Sequence, residues 1–384
     1  MITSLSPRRL HALVTFAATG FSLLSFSAAA GDADVIQQRL DAARFGETVQ
    51  LSAGTYVLEK GLVIRKSGVT LAGAGVDKTT LVASFPSEDG AIVRILGQSP
   101  AEVWSSKRSQ LKSKTGSGTT KLILEKNLGN ILPGSFVLVR MANDKAFLDS
   151  IKSKVWNEKY PHVRTALGQV DSISNTTLIL KQPIGLPFQP GAEIIPLDVV
   201  RNAGVKDLTI KYDIGGAPDG MDFTNAKPNN AVDGLLVENA AWPNISNVAA
   251  LWSGRHGFAF DTVYMPFVSY ALNDGSWNKG KEGNGYFRIS RTYYGTFQNI
   301  TLRNMRHLTI QWSSYDNKVT HLNADSDINF HGGYTQRNTV QFDYLVDRDG
   351  KGGRISTTPY DASWAPPDGS GNKAIDANGK TVSQ

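Results

Sequence analysis

Short runs of alternating apolar and polar residues return along this chain at nearly fixed intervals. The most regular stretch is 303–340, where His307-Leu-Thr-Ile-Gln comes back as Asp327-Ile-Asn-Phe-His and Asn317-Lys-Val comes back as Asn338-Thr-Val. The same ladders run backwards through Gly257-Phe-Ala-Phe-Asp and Tyr286-Phe-Arg-Ile-Ser on one side. On the other they run through the stretches beginning at Asn247, Phe267 and Phe297. A period of two marks a strand with one buried face. Its recurrence every twenty to thirty residues marks a chain that coils upon itself. The inward pairs predicted on the first ladder are Phe258/Phe260, Phe287/Ile289, Leu308/Ile310 and Ile328/Phe330. Residues of opposite parity then face water, stacked at the ~4.8 Å spacing of neighbouring strands. They form three columns: Asp261, Ser290, Gln311, His331; Gly257, Tyr286, His307, Asp327; and Ala259, Arg288, Thr309, Asn329.

The phrases Gly54-Thr-Tyr, Leu62-Val-Ile, Gly68-Val-Thr-Leu-Ala-Gly-Ala-Gly and Val205-Lys-Asp-Leu-Thr-Ile resemble the recurrent units of the pectin-lyase-like (pectate lyase) superfamily. Arg306-His307 followed by Asp327-Ile-Asn-Phe-His-Gly-Gly resembles a bacterial subset of that superfamily whose activities are mostly unassigned. The resemblance implies an all-β, single-stranded right-handed parallel β-helix over nearly the whole mature chain. It does not carry the activity over, because one fold hosts many chemistries.

The remaining segments give the chain its ends and its interruption. Residues 1–30 carry Arg8 and Arg9, an apolar run from Leu10 to Phe26 and Ala28-Ala29-Ala30, the pattern of a signal peptide cleaved after Ala30. Residues 31–97 hold the first coils and a capping helix over 34–44, with Asp32 or Asp34 as its N-cap. The register breaks over 98–196, read as a β-rich insertion in which Trp156, Tyr160 and His162 are expected to pack more than to stack on sugars. The main coils resume over 197–347, with Asn202, Asn239, Asn247, Asn299, Asn304, Asn317 and Asn338 expected as a ladder that satisfies backbone groups at the bends. Residues 348–384, poor in large apolar side chains, read as a tail or loose cap.

Composition narrows the chemistry. The chain has no cysteine, which excludes disulfides and a thiol nucleophile. Loss of the leader removes two of 40 basic residues and none of 34 acidic ones, leaving a formal charge of +4. A modest basic excess suits an anionic partner, and the partner expected is an acidic polysaccharide rather than nucleic acid or, after leader cleavage, a membrane. The expected location is secreted or periplasmic.

Four of the six histidines (His256, His307, His321, His331) fall within 255–331 together with Lys279, Lys281, Arg288, Arg291, Arg303 and Arg306. His321 shares parity with Val319 and is expected inside. Cleavage of a uronate polymer by β-elimination needs a base for the proton beside the carboxylate and cations for the charge that develops. His331, His307, Arg306 and Asp327 are the catalytic candidates, with Arg288, Lys279, Lys281, Tyr293, Tyr294, Gln311 and Asn329 as substrate contacts. Three alternatives share the face: a glycoside hydrolase using two of Asp261, Asp325 and Asp327; a uronate epimerase; and a non-catalytic carbohydrate-binding or matrix protein. Asp325 and Asp327 are also a candidate pair of Ca2+ ligands.

Overall fold

A computed structural model describes residues 31–86, 90–151, 161–218, 227–279, 284–331, 334–346, 355–356 and 370–382. The leader 1–30, Trp156, Tyr160 and Lys281 lie outside the described residues, as does the side chain of His331. Two long parallel sheets face each other across one apolar core. The first runs Thr48–Gln50, Thr70–Ala72, Gly204–Tyr212, Asn244–Ser253, Phe267–Ser276, Thr296–Arg303, Lys318–Ala324, Thr339–Leu345 and Lys373–Ile375. The second runs Leu62–Ile64, Ala91–Leu96, Asp233–Ala241, Phe258–Tyr264, Tyr286–Tyr293, His307–Gln311, Asp327–His331 and Ile355–Ser356. The chain alternates between the two sheets, climbing one rung per coil, as a right-handed parallel β-helix does.

The inward pairs predicted from alternation are inside: Phe258, Phe260, Phe287, Ile289, Leu308, Ile310, Ile328 and Phe330 are all 0% exposed in the shared core. Their partners follow the drawn register, with Phe258 opposite Phe287, Phe287 opposite Leu308 and Leu308 opposite Ile328. Burying such side chains is worth ~1.5–3 kcal/mol each. No coil retains that energy alone, because each rung's core face is closed by its neighbours.

The coils turn at residues in the left-handed conformation, which shifts the side-chain parity without breaking the ladder. One such column is Asp207, Asn247, Tyr270, Asn299 and His321, all with φ between 53° and 55°. Strand pairing skips each of them, so Gln298 pairs Thr320 and Ile300 pairs Leu322 around Asn299 and His321. This corrects the expectation for His321. Val319 and Leu322 both point inward, and His321 is exposed and bonds Asp343 at 3.1 Å. A second column is Asn239, Thr262 and Arg291, and a third is Asn202, Trp242, Met265, Tyr294, Asp316 and Arg337. Asparagine is favoured here because it tolerates the left-handed region better than most residues.

The asparagine ladder is therefore narrower than expected. It comprises Asn317, Asn338 and a third member, Asn372: Asn317 Nδ2 donates to Asn338 Oδ1 at 2.8 Å, and Asn338 Nδ2 to Asn372 Oδ1 at 2.9 Å. Asn372 precedes Lys373–Ile375, which adds a parallel strand to the first sheet, and Thr381–Val382 then pairs antiparallel to it. Part of the segment read as a loose tail thus completes a coil.

At the other end the helix Asp32–Ala42 packs Ala33, Ile36 and Leu40 into the core. Neither Asp32 nor Asp34 caps it. Gly31 holds the N-cap position at φ 115°, Asp32 accepts from the Val57 N–H, and Asp34 pairs with Lys60. Among the described residues no helix is long and apolar enough to cross a membrane.

Between the first and later coils the chain departs into a six-stranded antiparallel sheet made of Ser109–Gln110, Glu193–Leu197, Phe136–Met141, Arg164–Ser174, Thr177–Leu180 and Lys121–Ile123. The coils on either side of it stack directly, with Gly204 opposite Thr70 and Leu235 opposite Val93. The sheet is fastened to the solenoid through Tyr264, Tyr293 and Tyr315, which share its apolar core. Gly185 lies against the Tyr315 ring so closely that a Cβ would stand 2.3 Å from a ring carbon.

The ladder supplies the test of the stack. Asn338 also accepts from the Asn317 N–H and donates to Ser314 O, all in buried surroundings. Asn338→Ala should lower unfolding free energy by roughly 2–4 kcal/mol, since several buried polar groups lose their partner at ~1–3 kcal/mol each. Urea titration of the variant measures it.

Candidate functional site

The second sheet turns three polar columns away from its core; in them Tyr286, Ser290 and Thr309 are buried, while Asp261, Arg288, His307 and Asp327 are partly exposed. At its N-terminal edge Tyr286, His307 and Asp327 stand on successive rungs. His307 Nδ1 bonds Asp327 Oδ1, and the two side chains are 15% and 14% exposed. With Nδ1 engaged by the carboxylate, Nε2 is the free imidazole nitrogen, because the bond one ring nitrogen makes sets the tautomer. The Tyr286 ring lies between the rings of His256, at 5.3 Å, and His307, at 5.0 Å. Burial pushes the Tyr286 hydroxyl up to about 12, with the Arg306 charge pulling it down and Asp327 pushing it up. It is a protonated donor at neutral pH.

A buried charge cluster holds this edge from behind. Arg255 grips Asp233 through Nε at 2.8 Å and Nη2 at 2.7 Å, and Asp233 also accepts the His256 N–H at 3.1 Å. Burial raises the Asp233 carboxyl, but the neighbouring charges, Arg255 first and Arg288 among them, together with the Arg255 hydrogen bonds outweigh it and hold the group at about 2. Burial holds His256 well below the usual imidazole range. The Tyr286 N–H donates to His256 Nδ1 at 3.1 Å, so the backbone of the next rung reads the neutral ring.

The middle column places Arg288, Thr309 and Asn329 in register, and the outer one places Asp261, Ser290, Gln311 and His331. Here four buried polar atoms have no hydrogen-bond partner: Arg288 Nε, Ser290 Oγ, Thr309 Oγ1 and Asn329 Oδ1. Each such group costs ~1–3 kcal/mol if it stays unsatisfied. Asp261 is engaged by Arg291 Nη1 at 3.0 and 2.8 Å.

Several sequence-based assignments need correction. Tyr293 is fully buried against Tyr315 and bonds Thr165 at 2.8 Å, while Tyr294 donates to Pro183 O. Both fasten the insertion and neither faces a groove. Lys279 is 0% exposed, and Gln311 and Asn329 are buried although their parity is outward. Gly257, drawn above Tyr286, sits at a corner with its backbone against the Asn273 side chain. Arg288 and Arg306 are half-buried; Arg288 pairs in register with Thr309 and its charge acts on Asp233 and His256, and Arg306 acts on the Tyr286 hydroxyl. His331 holds its rung opposite Gln311. Sequence reasoning missed Asp233 altogether, and it did not join Tyr286 to His307 and Asp327 although the three share a column.

Among the described residues no group of three or more His, Asp and Glu side chains is placed to hold a metal ion. The two carboxylates considered for Ca2+ are committed elsewhere: Asp325 accepts the Asn304 N–H at 3.0 and 3.2 Å, and Asp327 pairs with His307.

Fold and outer columns together define a right-handed parallel β-helix protein of the pectin-lyase-like fold. The chain is similar to the Pseudomonas phage phi297 tailspike gp61, with a TM-score of 0.51 at 11% identity over 90% of this chain and 57% of that one. It also matches the tailspike protein gp49 from Pseudomonas phage LKA1, with a TM-score of 0.49 at 14% identity over 90% and 62% of the two chains. A third match is the Gp54 tailspike of Acinetobacter baumannii bacteriophage AP22 in complex with A. baumannii capsular saccharide, with a TM-score of 0.41 at 7% identity over 83% and 56%. The chain spans about three fifths of these tailspikes' length. No protein-family model and no curated protein sequence matches it.

The charge cluster makes stability fall in acid in two stages. His256 is neutral in the fold while the unfolded chain takes up its proton below about pH 6.5, so stability drops as pH falls through that value. The Asp233 carboxyl is depressed in the fold, so its contribution of about 2 kcal/mol is complete above the unfolded value near 3.8 and is lost as pH falls towards 2. Melting temperature against pH should show both stages, and Asp233→Asn should remove the lower one.

Proposed function

We propose that this protein cleaves an acidic, uronate-containing polysaccharide by β-elimination, as a secreted or periplasmic lyase. The observation that carries the reading is the Asp327–His307 pair with the protonated Tyr286 hydroxyl and the Arg306 guanidinium beside it. His307 Nε2 takes the proton from the carbon bearing the carboxylate. The electron pair left behind forms a carbon–carbon double bond as the neighbouring carbon–oxygen bond breaks. The departing glycosidic oxygen takes its proton from Tyr286. Arg306 and Arg288 hold the substrate carboxylate, whose charge grows during the step. Asp327 orients the imidazole and stabilises it once protonated.

A hydrolase asks for two carboxyl groups free to flank one bond. Asp261 is clamped by Arg291, Asp325 by the Asn304 backbone and Asp327 by His307, which favours elimination. Epimerisation shares the first step and differs only in where the proton returns.

The test is to incubate the protein with polygalacturonate, polymannuronate and hyaluronan and follow absorbance near ~235 nm, where the unsaturated product of elimination absorbs. His307→Ala should lose ~10²–10⁴ of the rate, the scale of general-base help, with little change in melting temperature. Tyr286→Phe should lose rate most on substrates with poor leaving groups. Reducing ends that appear without the absorbance mean hydrolysis and overturn the reading.

A further inference from the structure

Away from the His307 edge, where the antiparallel sheet meets the first coils, a cleft of about 390 Å³ opens beside Trp104. Trp104 is 77% exposed, the largest exposure of any large apolar side chain among the described residues. Its backbone is nonetheless fixed on both sides. Ser99 and Glu102 close a reciprocal capping pair one turn earlier. Arg108 holds the Val103 carbonyl through Nε at 2.9 Å and Nη2 at 2.6 Å. The Lys107 N–H donates to Trp104 O at 3.0 Å, and Val103 is buried in the insertion's core. The chain thus fixes the backbone that carries an indole and leaves the ring in water, which gives up the stabilisation that burying the ring would bring.

Polar groups with spare bonding capacity line the cleft facing it. Gln98 accepts the Asp198 N–H and retains its amide donors. The Arg201 guanidinium stacks on the Phe136 ring at 5.2 Å. Asn130 and the Asp198 carboxylate complete the lining. Lys107 and Arg201 are matched by Glu102 and Asp198, so the lining is formally neutral. An exposed aromatic plate on a fixed backbone, donors and acceptors in mixture, and no net charge suit a ligand with an apolar face and many hydroxyls.

We propose that this cleft is a second saccharide site, which takes an uncharged stretch of sugar chain with one pyranose ring stacked on Trp104. The strand bearing Arg201 lies four rungs from the His307 strand, roughly 19 Å along the axis at ~4.8 Å per rung. The two sites are therefore separate. A second site on one rigid scaffold raises the local concentration of polymer at the first.

The test follows the Trp104 indole N–H by NMR during titration with the β-1,4-linked hexasaccharides of glucose, mannose and N-acetylglucosamine, and with hexagalacturonate. At least one neutral hexasaccharide should shift the Trp104 signal, with an affinity that changes less than about twofold between ~0.05 and 0.5 M salt. Trp104→Ala should weaken that affinity about tenfold or more, and Trp104→Phe should restore part of it, both at unchanged melting temperature. His307→Ala should leave the Trp104 response intact whatever it does to turnover, which keeps this site's fate apart from that of the lyase reading. No response to any neutral hexasaccharide at about 10 mM, a response to hexagalacturonate alone, or full affinity in Trp104→Ala would each overturn the proposal.

Discussion

Everything in this molecule depends on each coil returning to the previous one in phase. Parallel rungs exchange all their backbone hydrogen bonds with neighbours, and a one-residue slip would turn every core side chain to the outside. The solenoid meets this demand by concentrating its irregularity at fixed corners. Asp207, Asn247, Tyr270, Asn299 and His321 each take a single left-handed step at the same place, and pairing resumes one residue later in the same register. A corner costs little when its occupant is asparagine, aspartate or histidine and more when it is tyrosine. It is tolerated there because the rungs above and below fix it.

Phase also makes the outer columns. If Phe287, Leu308 and Ile328 must coincide inside, then Tyr286, His307 and Asp327 must coincide outside. The pairing of an imidazole with a carboxylate therefore needs no loop to arrange it. Rigid strands hold paired side chains to a narrower geometry than loops can, and here the same ladder that holds the core holds the His307–Asp327 pair. The Asp233–Arg255–His256 cluster adds a second layer, since the Tyr286 backbone is tied to the His256 ring.

Much of this was legible in the sequence, and the limits have physical causes. Alternation gave the inward pairs and the column memberships, because a period of two survives in the sequence wherever one face is buried. His321 was misplaced because one left-handed residue reverses parity, and nothing in Thr-His-Leu announces a backbone angle. The burial of Tyr293, Gln311 and Lys279 was invisible because parity states which sheet face a side chain takes, not what later packs on that face. The insertion that covers Tyr293 comes from more than a hundred residues away. Asp233 escaped because its partner Arg255 sits one coil on, just outside the strand runs. The ladder's third member, Asn372, lay in a segment whose composition hid its short strands.

The same repeat geometry treats polar side chains in two opposite ways. In the Asn317–Asn338–Asn372 stack every amide finds the next rung's amide or backbone, so the column closes on itself and stabilises the coil. In the Arg288–Thr309–Asn329 column and at Ser290 beside it, the spacing is the same but the side chains do not satisfy one another. A ladder of identical amides can pair donor to acceptor indefinitely, whereas guanidinium, hydroxyl and amide in sequence cannot. A stable fold can carry a few such deficits only because its core is long and continuous. Three of the four deficient residues, Ser290, Thr309 and Asn329, are themselves buried, so the deficit lies within the sheet, beside the column that pairs His307 with Asp327.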